Sequence, residues 1–176
     1  LVFIYLSLCS VTIQASPLAI INDQTTIIKL DNHVDILDNK ANNLSLEEII
    51  ETKVKNQFAP IDLSDRNVLR LYSDHFWLRF SLSNHSNIKK TLWLKGNDAS
   101  IKNITIYSAP GDTQISGNYT QAPNALFQDN DLAPILLEIS IPANSTYSYY
   151  VDLHSIKNHS FKLCRLCVTS CENKPI

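Results

Sequence analysis

Along residues 75–83 apolar and polar side chains alternate without a break: Phe76, Leu78, Phe80 and Leu82 take one face, and Trp77, Arg79, Ser81 and Ser83 the other. Side chains alternate across a strand at period two, so this segment predicts a strand with one face in a core. Residues 91–95 repeat the pattern, with Leu92 and Leu94 against Trp93 and Lys95, and 103–108 repeat it with Ile104 and Ile106 against Thr105 and Tyr107. Pro110, Gly111 and Asp112 predict a turn. Further strands are predicted over 25–30, 135–141 and 147–153, the last two joined through Pro142, Ala143, Asn144 and Ser145. The period becomes helical only over 44–54, where Ser45 and Glu48 make a capping box and Leu46, Ile49, Ile50 and Val54 recur at helical spacing. Asp31, Asp35 and Asp38 read as an early turn. Short strands at close spacing, each with one apolar face, predict an all-β antiparallel sandwich with one short helix and no parallel sheet.

Residues 1–13 form an almost unbroken apolar run without charge, followed by Ala15 and Ser16. A membrane-spanning helix needs about 20 apolar residues, and this run gives way to Asn22 and Asp23 too soon. Residues 1–15 are therefore predicted to be a cleaved signal peptide. The chain opens at Leu1 and its first basic residue is Lys29, so the sequence predicts either that the charged start of the signal peptide lies upstream or that Leu1 is a non-standard start codon read literally. Cys9 follows Leu8 rather than the small residue that a lipid-attachment site wants. An exported mature chain of about 160 residues is enough for one domain and too short for two.

The formal net charge is −2 with no basic run, which excludes nucleic acid and anionic membrane surfaces as implied partners. Only three glycines occur, Gly96, Gly111 and Gly117, so phosphate-cradling loops are excluded and no cofactor is predicted. A nucleophile elbow, a His-Glu-x-x-His helix and paired carboxylates on strands are all missing, so no enzyme is predicted.

The order of these pieces resembles the type 2 extracellular sensor domain of bacterial seven-transmembrane receptors with diverse intracellular signalling modules. The resemblance rests on Leu37-Asp38, Leu44-Ser45-Leu46-Glu47-Glu48, Phe76-Trp77-Leu78-Arg79-Phe80 with Leu82 and Asn84, and Trp93-Leu94. It continues through Ile104-Thr105-Ile106-Tyr107, Ile139-Ser140-Ile141-Pro142-Ala143 and Tyr149-Tyr150-Val151. It implies a jelly-roll-like β-sandwich over 25–163, akin to carbohydrate-binding modules, acting in the periplasm as the ligand-sensing head of a receptor. In that family the late strand usually carries an arginine near the position that Asp152 holds here. No apolar span follows Leu163, so the sequence predicts a truncated or free-standing version, touching a membrane only through receptor segments it lacks, with an irregular tail over 164–176. The rival readings are a secreted carbohydrate-binding or adhesion module, and a hydrolase.

If the three alternating strands neighbour one another, Trp77, Arg79, Trp93, Lys95 and Tyr107 share one surface. Flat rings beside cationic donors suit a small polar ligand such as a carbohydrate. The competing expectation covers these rings with a loop or the 44–54 helix and pairs Arg79 with an acid such as Glu138. Cys164, Cys167 and Cys171 with His159 form a possible zinc set, set against a disulfide or an unstructured tail. His33, His75, His85 and His154 have no ligand-like spacing and read as surface or hydrogen-bonding residues. The oligomeric state is not legible.

The mature protein is expected to begin near Ser16 and to be recovered outside the cytoplasm. Intact-mass measurement of the periplasmic fraction checks this, and a species there retaining 1–15 would overturn it.

Overall fold

A computed structural model describes residues 18–30, 32–39, 43–51, 54, 56–61, 74–97, 101–110, 135–155 and 164–170. The signal segment 1–15, the Gly111-Asp112 half of the turn, His159 and Cys171 lie outside the described residues. Among the described residues the strands are β1 (Ala19–Ile21), β2 (Ile27–Lys29), β3 (Val34–Asp38), β4 (Ala59–Ile61), β5 (His75–Asn84), β6 (Lys90–Asn97), β7 (Ile101–Pro110), β8 (Ile135–Ile141), β9 (Ser145–Ser155) and β10 (Cys164–Ser170). The helix α1 is Leu46–Ile50.

The strands form two sheets. The first runs β4-β3-β5-β9-β7 with β1 added beside β5, and the second runs β2-β10-β6-β8. The strands read from alternation are all present, and among the described residues the architecture is the predicted, mostly antiparallel one with the short helix α1. Three differences have physical causes. The segment of Asp35 and Asp38 is a strand, β3, because Val34 and Leu37 enter two different apolar clusters on opposite faces of the sheet. The segment read as an irregular tail supplies β10, which pairs Cys167 to Ser170 with β6 and Cys167 to Thr169 with β2. Finally, β3 pairs β5 only as far as Phe80, and β1 takes the remaining edge in parallel, Ile21 opposite Asn84. Unpaired backbone groups along a central strand are costly, so the edge that β3 leaves is filled by the nearest extended segment.

Between the sheets, Phe76, Leu78, Phe80 and Leu82 of β5 meet Tyr149, Val151 and Leu153 of β9, Leu92 and Leu94 of β6, and Ile139 and Ile141 of β8. Asn84 closes one end of this core from within. Its Nδ2 donates to the carbonyls of Ile88 at 2.8 Å and Pro142 at 2.9 Å, while its Oδ1 accepts the N–H and O–H of Ser86. One amide thus ties the β5–β6 turn to the β8–β9 turn, leaving both its ends satisfied in a dry setting.

A second apolar cluster lies on the outer side of the first sheet, where Leu46 and Ile49 of α1, with Val54 and Phe58, pack on Leu37, Trp77 and Tyr150. The Glu48 carboxylate accepts the Ser45 backbone N–H at 2.8 Å, as the predicted capping box requires. The helix stops earlier than the apolar spacing implies. Glu51 is already extended, with φ −63° and ψ 141°, and an acid there opposes the negative end of the helix dipole. Val54 is buried nonetheless.

Arg79 and Asp35 anchor this layer to the sheet. Arg79 Nε donates to Asp35 Oδ2 at 3.1 Å and Nη2 donates to the same oxygen. The guanidinium carbon also sits 4.7 Å from the centre of the Phe58 ring. The Asp35 side chain is only 2 % exposed, so the pair with this arginine is largely sheltered from water on the carboxylate side.

Two outcomes follow from these layers. Trp77→Ala should lower stability by about 3 to 5 kcal/mol, since it empties a site in the second cluster, and Trp93→Ala by clearly less; equal shifts in urea midpoint would contradict this packing. Arg79→Leu should cost about 3 to 5 kcal/mol by removing the cation that faces the buried Asp35 carboxylate, while the double variant with Asp35→Leu recovers most of that loss. A double variant as unstable as the single one would show that the pair is not what holds the layer.

Candidate functional site

Register sets the outer face of the first sheet in rows. One row crosses Leu37, Trp77, Asp152 and Thr105, and the next, on the side away from α1's anchor, holds His75 opposite His154. The third crosses Asp35, Arg79, Tyr150 and Tyr107. The α1 layer seals Leu37, Trp77 and Tyr150, whereas Thr105, Tyr107, Asp152 and His154 remain half-buried. The face is therefore apolar and closed at one side, polar and accessible at the other.

Of the five residues singled out in the sequence, Trp77, Arg79 and Tyr107 share this face, as their alternation requires. Trp93 and Lys95 do not join them, because β6 pairs β8 and β10 in the second sheet. Alternation says which face of its own sheet a side chain takes, and is silent on which sheet the strand enters. Trp93 is half-buried and lies opposite Glu138, and the Lys95 side chain is outside the described residues. Trp77 is only 2 % exposed, and Arg79 is committed to Asp35 rather than to Glu138. Cys164 and Cys167 lie on β10, with a register shift between them.

The aromatic rings of the face form a chain. Trp77 is 5.9 Å from Tyr107 and 6.5 Å from His75, centre to centre. The Trp77 indole N–H is buried with no hydrogen-bond partner among the described residues. Burial foremost, then the negative charges of Asp152 and Glu47, push the Tyr107 phenol above its ordinary value. It stays a neutral hydroxyl at any physiological pH.

His75, Asp152 and His154 meet at the open side. His75 Nε2 lies 2.7 Å from Asp152 Oδ1, and His154 Nε2 lies 3.4 Å from the same oxygen. The two imidazoles stack at 4.0 Å with 20° between their planes. Behind them, Asn39 holds its own amide rigidly: Oδ1 accepts the Leu44 N–H at 2.7 Å and Nδ2 donates to the Leu44 carbonyl at 3.0 Å. That same Nδ2 is 3.2 and 3.3 Å from the two ring nitrogens of His75. Sequence spacing could not bring these three residues together, since 75 and the 152–154 pair meet only through the β5–β9 register. The usable signal was parity: His75 shares the parity of Trp77 and Arg79, so it had to share their face.

No curated protein sequence matches the chain. Among solved structures, an exo-β-1,3-galactanase variant from Phanerochaete chrysosporium, determined with β-1,3-galactotriose, is 13 % identical, and the match covers 81 % of this chain and 28 % of that one at a TM-score of 0.31. So distant a likeness carries nothing about what this chain binds. The 7TMR-DISM extracellular 2 family, by contrast, matches over residues 31–163, from just before β3 to just before β10. That family is a non-catalytic sensor module working outside the membrane, and the span of the match makes this chain a member of the 7TMR-DISM extracellular 2 family.

Proposed function

We propose that this chain is the periplasmic ligand-binding head of a bacterial signalling receptor, and that it takes a small polar ligand on the open side of the first sheet's outer face. A carbohydrate is the first class to test. The observation that carries the reading is the half-buried state of Thr105, Tyr107, Asp152 and His154 on the adjoining strands β7 and β9, beside aromatic packing that α1 closes. A ring face stacks on the apolar C–H patches of a sugar, while a carboxylate and an imidazole select its hydroxyls. Tyr107 would meet the ligand, with Trp77 backing its ring. Arg79 would act indirectly by keeping the α1 layer in place. Trp93 and Lys95, on the second sheet, stand outside this site.

A thermal-shift screen of the protein in EDTA against sugars, sugar acids and amino acids tests the reading, because a ligand that binds the native state alone raises its stability, by about 2.7 kcal/mol at a hundred times Kd. At least one of these classes should raise the melting temperature, and Tyr107→Ala should weaken that ligand by about 1 to 3 kcal/mol with little loss of fold. A screen without any shift, or a Tyr107→Ala protein that binds as the parent does, would overturn it.

A further inference from the structure

We infer that His75, Asp152 and His154 form a site for a borderline transition-metal dication, with Zn²⁺ as the type ion. The inference shares Asp152 and His154 with the ligand reading, and a titration with the metal ion alone keeps the failure of one distinguishable from the failure of the other. One ligand atom from each residue lies within 4.8 Å of the other two. Zinc sits about 2.0 to 2.2 Å from imidazole nitrogen and carboxylate oxygen, so tetrahedral ligand atoms stand about 3.3 to 3.5 Å apart. The His154 Nε2 to Asp152 Oδ1 separation of 3.4 Å already meets that requirement. The His75 Nε2 to Asp152 Oδ1 separation of 2.7 Å is a hydrogen bond, and it must lengthen by about 0.6 to 0.8 Å when a metal takes the proton's place. His154 has the room to complete the triangle, because its side chain is 42 % exposed.

The frame around the triad favours metal over a chance meeting of polar groups. His75 and His154 are direct partners across β5 and β9, and Asp152 stands one row along, so rigid sheet backbone sets all three. Both Nε2 atoms lie near one carboxylate oxygen, and because the rings stack with 20° between their planes, the more exposed His154 must turn for the two in-plane lone pairs to converge on one ion. Asn39, itself locked to Leu44, packs its Nδ2 almost equally far from both nitrogens of His75. It holds the ring in place by contact; as an N–H donor it is not the acceptor that the other N–H of a metal-bound histidine uses. Two neutral imidazoles and one carboxylate suit Zn²⁺, Co²⁺, Ni²⁺ or Cu²⁺; Mg²⁺ and Ca²⁺ require more oxygen ligands. Three protein ligands leave the fourth position of a tetrahedral ion for water or for an oxygen of a bound molecule.

The chain, stripped with EDTA and exchanged into chelator-free buffer, is titrated with Zn²⁺ by calorimetry and with Co²⁺ by visible absorption. Saturable one-to-one binding is expected, with Co²⁺ giving ligand-field bands and no thiolate charge transfer. Because thiols are the competing zinc ligands of the chain, the variant with Cys164, Cys167 and Cys171 all changed to Ser should bind equally well. Asp152→Asn and the partly exposed His154→Gln should each weaken binding at least tenfold while circular dichroism stays native. The inference fails if the parent shows no saturable binding, if folded His154→Gln binds undiminished, or if the triple Ser variant loses the metal.

Discussion

The pairing of β5 with β9, ten residues in unbroken register from His75 opposite His154 to Asn84 opposite Ser145, is the constraint on which the rest of the molecule depends. Both faces of this ribbon are occupied. Its even positions in β5 build the core between the sheets, and its odd positions build the floor beneath α1 and the polar site. A slip of one residue would exchange the two sets, driving Arg79 into the core and Phe80 under the helix. Ordinary antiparallel sheets have one face to satisfy; this one is held by two, and the register is correspondingly strict.

What the sequence showed follows from which physics is local. Alternation is local, so β5, β6, β7, β8 and β9 were legible from their own residues, as was the start of α1 from Ser45 and Glu48. The family resemblance, carried by Phe76-Trp77-Leu78-Arg79-Phe80 and its companions, was legible too and is upheld. Strand adjacency is not local. Nothing in Trp93 says that β6 joins β10 rather than β5, and so the expected gathering of five aromatic and basic residues divides between two sheets. β1, β3 and β4 were missed because they are short, and short strands owe their existence to the partner edge rather than to their own pattern. β10 was missed for the same reason: without β2 and β6 it has no reason to be extended. The site at His75, Asp152 and His154 combines both difficulties, since the residues became neighbours only when the register was known.

The helix layer shows how a sensor face is shaped by elements with little stability of their own. A helix as short as α1 does not persist alone in water. It is held because Leu46 and Ile49 bury against Trp77 and Tyr150, and because Arg79, fixed by Asp35, lies over Phe58 just beyond it. The layer shields half of the outer face and leaves the rest open, so the boundary of the site is drawn by packing rather than by a loop of special composition. Movement of α1 would alter that boundary without disturbing the core between the sheets.

The strand order has a consequence for how the molecule is made. β5 and β7 both wait for β9, and β2 and β6 both wait for β10, the last strand described. During synthesis β1, β3, β4 and β5 can pair early, and β6 can pair β8 before β9 and β10 arrive, giving partial sheets with bare apolar faces and open edges, species prone to stick to others. Closure by such distant segments is slow, because the entropy of long loops must be overcome before the contacts reward it. Until β9 and β10 have been made, the apolar faces of the earlier strands have no covering sheet, so the molecule acquires its two-sheet core late rather than piece by piece.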